Sequence, residues 1–343
     1  MRADPLRIVA IGGGTGLSTL LRGLKKHAYS PWHETGERRA PPVDITAVVT
    51  VTDDGGSSGR LRREFDVLPP GDIRNCLVAL SEDEALLSRL FQYRFRTGRG
   101  LRGHSFGNLF LTALADVTGD FPRAVQFSSE VLAIAGRIFP STNANVSLEA
   151  RLADGSIVSG ETRISRSKTP IDRVGLRPPG CRPLAETLKA IEEADLVCLG
   201  PGSLYTSVIP NVLVGGMSRA IAESPALKAY FVNLMWQPGE TMHYTAYDHL
   251  RAIHKHARRR LIDCVVLNTA PIPAALLERY AAEKVEPVAA DRERLEKAGV
   301  EVVEAPLVAK GEKVRHDPDQ AAEVAVELAR RGRRRRRSRR RAR

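Results

Sequence analysis

The chain has 343 residues, of which 43% are hydrophobic and 27% charged, the balance of a soluble globular protein of one large or two ordinary domains. A wholly disordered chain is excluded, and no run approaches the roughly 18 consecutive apolar residues of a membrane-spanning helix. The net charge of +12 is local: residues 330–343 hold eleven of the 52 basic residues and none of the 40 acids, so residues 1–329 carry only about +1.

The first residues run straight into an apolar strand without a signal-peptide layout, so a cytoplasmic protein is expected. Residues 6–11 read as a strand, then a glycine turn, then a helix over 15–26 with Leu17, Leu20, Leu21 and Leu24 on one face. Residues 29–42 are polar and proline-bearing and read as a surface loop; 45–51 read as a second buried strand. A helix is expected over 106–117. Residues 146–152 and 156–164 then read as two strands of a hairpin around Asp154-Gly155. Helices at 184–194, 212–224 and 246–256 alternate with strands at 196–200, 229–234 and 263–267, which implies a mostly parallel sheet covered on both faces. A last helix over 320–329 is expected to end near Gly332, and the arginine run beyond it to be disordered. Residues 1–329 are thus expected to form a single domain. Cys76, Cys181, Cys198 and Cys264 are far apart, with no CxxC pair, and read as buried thiols.

In such a sheet ligands gather at the carboxyl ends of strands, so the loops after strands carry the candidates. Gly12, Gly13, Gly14, Thr15 and Gly16 open the first helix, where glycines let the backbone approach a phosphate; the alternative is a turn needed only for packing. The spacing is neither GxGxxG nor a Walker loop. After the second strand, Asp53 and Asp54 pair two carboxylates suited to Mg²⁺, followed by a loop of Gly55, Gly56, Ser57, Ser58 and Arg60 suited to phosphates. In Pro-Pro-Gly-Asp, Asp72 either caps the following helix or, with Arg74 and Asn75, contacts a base or sugar. His104, Ser105 and Asn108 cluster at a helix start with GxSxG spacing but no preceding apolar strand, which argues against a serine-hydrolase elbow. Gly200, Gly202 and Ser203 form a second candidate anion nest, and residues 233–241 could close over the same crevice.

Together GGGTGLSTLLRGLK, TDDGGSSGRLR, PPGDIRN, GHSFGN, GPGSLYTSVIPN and QPGET closely resemble the YvcK-like gluconeogenesis-factor family, which shares its fold with the 2-phospho-L-lactate transferases. The resemblance covers roughly residues 7–318. It implies a three-layer α/β/α, Rossmann-like sheet and a UDP-sugar-binding regulatory protein needed for cell shape and wall synthesis on gluconeogenic carbon sources. It further implies that Tyr280 and Arg315 contact the UDP-sugar, UDP-N-acetylglucosamine being the candidate, and that Asp53 and Asp54 hold any Mg²⁺. The competing reading is a Mg²⁺-dependent transferase of the 2-phospho-L-lactate type. Expected partners are the UDP-sugar, cell-wall or regulatory proteins, further copies of the chain, and a polyanion (RNA, DNA or an anionic membrane) at the arginine tail. The tail is outside the resemblance and is expected to be separable from the body.

Overall fold

A computed structural model describes residues 4–28, 42–82 and 86–341. Most of the expected loop at 29–42 therefore lies outside the described residues. The chain begins with β1 (Leu6–Gly12), α1 (Gly14–Lys25) and β2 (Val43–Val49), then a helical stretch of α2 (Gly56–Phe65), α3 (Gly71–Leu80), α4 (Leu86–Gln92), α5 (Phe106–Thr118) and α6 (Phe121–Val131). It continues through β3 (Arg137–Pro140), β4 (Ser147–Leu152), β5 (Ile157–Ser159), α7 (Glu161–Ile164) and β6 (Ile171–Arg177). Alternation then resumes with α8 (Ala185–Glu193), β7 (Leu196–Leu199), a π-helical turn (Leu204–Val208), α9 (Ile209–Leu213), α10 (Met217–Glu223) and β8 (Leu227–Phe231). The last elements are α11 (Ala246–Ala257), β9 (Cys264–Asn268), α12 (Ala274–Ala282), α13 (Arg292–Lys297), β10 (Glu301–Ala305) and α14 (Pro318–Arg341).

Seven strands form one parallel sheet in the order β10-β9-β8-β7-β1-β2-β3. Its central strands are buried except at Arg7, as a sheet covered by helices on both faces requires. Leu17, Leu20, Leu21 and Leu24 of α1 are all fully buried against it. The expected architecture is present: a Rossmann-like α/β sheet with an antiparallel insertion.

The expected hairpin is present as β4 and β5, with β6 as a third antiparallel strand in the order β5-β4-β6. Two readings of single elements need correction. Residues 161–164 are helical, not extended. The reason is distant: Asp54 Oδ1 accepts the Thr162 N–H (2.9 Å) and its hydroxyl (2.6 Å), fixing a helical first turn. The helix expected over 212–224 is broken into α9 and α10 at Gly215, whose N–H donates to the Cys181 carbonyl (2.8 Å). All four cysteines are buried and free.

The largest correction concerns the arginine run. α14 does not stop at Gly332 but continues to Arg341; it packs against α1, β1, β7 and β8, and its arginine half reaches the amino-terminal rim of the sheet. Its first half buries Ala321, Ala322, Ala325, Val326, Leu328 and Ala329. Gly332 is a packing glycine, not a helix cap: a Cβ there would collide with the Asp195 carbonyl. Arg333 then reaches Asp195 (2.5 Å), a carboxylate only 3% exposed. Arg331 pairs with Glu301 (2.6 Å), and Arg336 donates to the Glu193 carbonyl (2.6 Å). Like charges that cannot bury themselves are thus docked by acids at the starts of β7 and β10. Arg333→Ala strands a buried carboxylate and is expected to cost about 3–5 kcal/mol in denaturant unfolding, against almost nothing for Arg334→Ala on the exposed face.

Candidate functional site

In an open parallel sheet the ligand crevice opens where crossovers diverge. Here β1 leads to β2 on one side, while β7 leads to β8 on the other. The crevice therefore lies outside the carboxyl ends of β1 and β7, where most of the predicted site residues sit.

Gly12 ends β1, Gly13 is the N-cap of α1, and Gly14, Thr15 and Gly16 form its first turn. The packing reading of these glycines is met at Gly13 and Gly16. A Cβ at Gly16 would collide with the Pro201 carbonyl, and one at Gly13 with the Thr50 and Asp72 side chains, so the loop after β1 lies against the backbone of the loop after β7 and against side chains that follow β2. Residues 52–62 are not a loop throughout: Gly55 is the N-cap of α2, and Gly56, Ser57, Ser58 and Arg60 lie in that helix. Asp72 does not cap α3; Pro70 holds that position and Asp72 is the second helical residue, where it accepts the Gly14 amide instead. Ser58 Oγ accepts the Gly71 amide (3.1 Å) and ties α2 to α3. Three helix amino termini, those of α1, α2 and α3, thereby meet at one place. None of the three carries a side-chain cap.

A fourth helix start borders them. Ser105 is the N-cap of α5, its Oγ accepting the Asn108 amide (3.2 Å), and His104 Nδ1 bonds Ser57 Oγ (3.0 Å). Arg74, only 9% exposed, donates to Ser105 Oγ (2.6 Å), Asn108 Oδ1 (3.1 Å) and Asn75 Oδ1 (2.7 Å), while its Nε is buried without a partner. Ser105 is therefore engaged as a cap and an acceptor, which fits no nucleophile. Arg60 turns away, its Nη2 donating to the Arg102 carbonyl (2.8 Å). Across the crevice Gly200, Gly202 and Ser203 follow β7, and Ser203 Oγ accepts from Gln237 Nε2 (2.8 Å), so the 233–241 segment does close onto this loop.

Asp53 Oδ1 accepts the Gly55 amide (2.8 Å), and Asp54 Oδ1 is taken by Thr162. Among the described residues no group of three or more His, Cys, Asp or Glu side chains has metal-holding geometry. The acids nevertheless feel one another. Burial, reinforced by Asp72, Asp53, Glu240 and Asp54, pushes Glu161 up to about 9; burial and then Asp53 push Asp72 up to about 7. Glu161 and Thr162 come from the antiparallel insertion and were not among the expected site residues, since nothing in the polar segment around them has a motif's spacing. Glu240, buried, accepts the Tyr205 amide (3.1 Å), Thr206 Oγ1 (3.1 Å) and Ser165 Oγ (3.4 Å), binding the same insertion to the π-helical turn.

Tyr280 and Arg315 lie farther along. Tyr280 is on α12 after β9, with the Arg279 guanidinium 5.8 Å from its ring centroid. Exposed Arg315 precedes His316, whose Nε2 bonds the Val232 carbonyl (3.1 Å) just after β8. At about 4.8 Å between strands, the end of β9 is roughly 14 Å from that of β1, so these two residues flank the glycine crevice and do not line its centre.

Residues 8–308 match the family described as 2-phospho-L-lactate transferase CofD. The chain belongs to this family. Within it, the chain is 48% identical to the gluconeogenesis factor of Bacillus subtilis, over 94% of this chain and 98% of that one. It is 50% identical to a putative gluconeogenesis factor of Nostoc, over 94% of this chain and 68% of that one. A crystal structure of a UPF0052-family protein from Bacillus halodurans superimposes with a TM-score of 0.87 at 46% identity, covering 95% of this chain and 99% of that one. Among the described residues no helix is long and apolar enough to cross a membrane.

The raised carboxyls set a pH dependence. Unfolded, both acids ionise near their ordinary values; folded, they hold their protons longer, so stability falls as pH rises from about 4 and levels off above about 9. The buried His249, His256 and His316 and the half-buried His254, lowered by burial to about 4, act below pH 7 with the opposite sign. Between pH 7 and 9 the decline belongs chiefly to Glu161. Glu161→Gln is expected to flatten unfolding free energy across that window, removing a decline of about 2 kcal/mol between pH 7 and 9, read by urea titration at each pH.

Proposed function

We propose that this CofD-family chain is a gluconeogenesis factor whose crevice binds a UDP-sugar, UDP-N-acetylglucosamine foremost, as a regulatory ligand controlling cell shape and wall synthesis. The observation that carries the reading is the meeting of the α1, α2 and α3 amino termini with the glycine loop after β7. Uncapped helix starts offer N–H donors and partial positive charge to a diphosphate. Two loops on opposite sides of the switch point suit a diphosphate joining two moieties. Tyr280 offers an aromatic face and Arg315 a free-standing guanidinium along the same strand-end surface, within reach of the sugar or base of an extended ligand.

Mg²⁺ fits the acidic side of this crevice. Each of Asp53 and Asp54 has one oxygen engaged by an N–H, and the ion is commonly held by one or two carboxylates with substrate phosphates completing its shell. When bound it would neutralise diphosphate charge beside Asp53, Asp54 and Asp72. This acid set is also what favours the second reading, a transferase acting on a nucleotide-activated donor, in keeping with the name of the matched family. The near relatives' names and the engagement of Ser105 and Asn108 in fold-holding bonds support the regulatory reading.

Thermal unfolding with UDP-N-acetylglucosamine, UDP-glucose, GDP and NADP, each with and without Mg²⁺, separates the two. A UDP-sugar at 100 times its Kd is expected to add about 2.7 kcal/mol of stability. Stabilisation by GDP, and none by UDP-sugars, would mark a transferase.

A further inference from the structure

Between α4 and α5 the chain doubles back as a narrow antiparallel ribbon. The Phe106 N–H donates to the Tyr93 carbonyl (2.9 Å), the Phe95 N–H to the His104 carbonyl (3.0 Å) and the Gly103 N–H to the Phe95 carbonyl (2.8 Å). The base of the ribbon belongs to the crevice, where His104 meets Ser57 and Ser105 caps α5. Its tip, residues 96–102, is exposed throughout. From Leu86 to Gly103 there are five arginines, Arg89, Arg94, Arg96, Arg99 and Arg102, and no acid. All five are exposed, and none has an ion-pair partner among the described residues. Arg94 is held by a neutral group, the Gly103 carbonyl (2.9 Å), and keeps its charge.

Neighbouring residues do not cancel this charge. Arg60 and Arg63 of α2 add two cations, Arg60 donating to the Arg102 carbonyl (2.8 Å). Glu64, on the same helix, is the acid whose charge is felt at His104. Even counting Glu82, Asp83 and Glu84, which precede α4 in the chain, seven arginines stand against four acids. Between its charges the same surface is apolar. Leu86 is 72% exposed, Tyr93 50%, Leu101 46% and Leu90 39%. Leu86, Leu90 and Tyr93 are spaced four and three residues apart, one outward stripe along α4 that continues past its last residue. Leu101 stands at the ribbon tip.

We propose that α4 and the arginine ribbon form a docking surface for an anionic lipid bilayer. The leucines and Tyr93 enter the headgroup boundary, and the arginines around them meet lipid phosphates. Uncompensated cations interspersed with exposed aliphatic side chains select this occupant, since an anionic bilayer surface accepts both. A nucleic acid gains nothing from Leu86 and Leu101. The aromatic pair does not form a base-stacking platform either: Tyr93 and Phe95 pack on each other edge to face (5.2 Å between centroids), on the side of the ribbon opposite Arg94 and Arg96. No residue of 86–103 lines the cavities bordered by α8, α10 and α11, so an acidic peptide finds none of them as a seat here. Because His104 and Ser105 lie at the ribbon base, docking places the mouth of the crevice at the bilayer surface. The arginine half of α14 lies at the other end of the sheet and takes no part.

Flotation of the intact protein with phosphatidylglycerol–phosphatidylcholine vesicles tests this. Binding is expected to these vesicles and not to phosphatidylcholine alone. R96A/R99A/R102A should weaken partitioning by about fivefold per arginine, roughly a hundredfold in all. L86S/L101S, which changes no charge, should weaken it about tenfold. R334A/R337A should leave it within about twofold, and Y93W emission should move to the blue on the anionic vesicles. All these positions are exposed, so each variant should melt with the parent protein. No binding to the anionic vesicles overturns the proposal, as does unchanged Y93W emission. Loss confined to R334A/R337A overturns it by assigning binding to α14. Full binding by L86S/L101S overturns it in favour of a polyanion held by charge alone.

Discussion

Helix amino termini of like partial charge avoid one another unless something negative sits between them, and this chain brings three together at the ends of β1 and β2. Each end carries roughly half a positive charge. Inside the protein the compensating groups are Asp72, which accepts the Gly14 amide, and Asp53, which accepts the Gly55 amide. The tight approach also dictates residue size, since side chains at Gly13, Gly16, Gly59 or Gly71 would strike the neighbouring loop, the Asp54 backbone or Ser58. The glycines are therefore required by packing, and the same close approach brings the helix amino termini to the crevice proposed to bind a ligand.

The same geometry explains why so many acids collect where an anion is expected. Helix-start amides gather at one part of the crevice, and Asp53, Asp72 and Glu161 at another. The proposed diphosphate ligand, with a divalent cation beside Asp53, would answer both parts. The upward shifts at Glu161 and Asp72 come first from burial and then from the neighbouring carboxylates.

Much of this was legible in the sequence, because the central strands are continuous apolar runs and the loops after them carry compact glycine-rich motifs. What escaped is what depends on distant residues. The edge strands β3 and β10 are short and half exposed, so Arg137–Pro140 and Glu301–Ala305 lack the buried run that marks β1 or β8. The helical turn of α7 depends on Asp54, 108 residues away, and Glu161 enters the site only through that turn. Tyr280 and Arg315 were singled out by resemblance alone; their local sequence reads as a packed aromatic and a solvated charge.

Eleven arginines in fourteen positions read as a solvated run because the acids that receive them lie far away in the chain. Those acids have a prior task. Asp195 Oδ2 accepts the Arg7 amide (3.0 Å) at the start of β1, and Asp263 Oδ2 accepts the Lys228 amide (3.0 Å) in β8. Each is a carboxylate satisfying the opening N–H of the neighbouring strand, and for Asp195 that means a charge almost wholly withdrawn from water. Burial of that kind is tolerable only with a cation in contact. Arg333 supplies it, with Arg336 3.9 Å away as a second. The arginine helix is thus the counter-charge of the sheet's amino-terminal rim, and only the arginines in excess of the rim's acids are available to an outside partner.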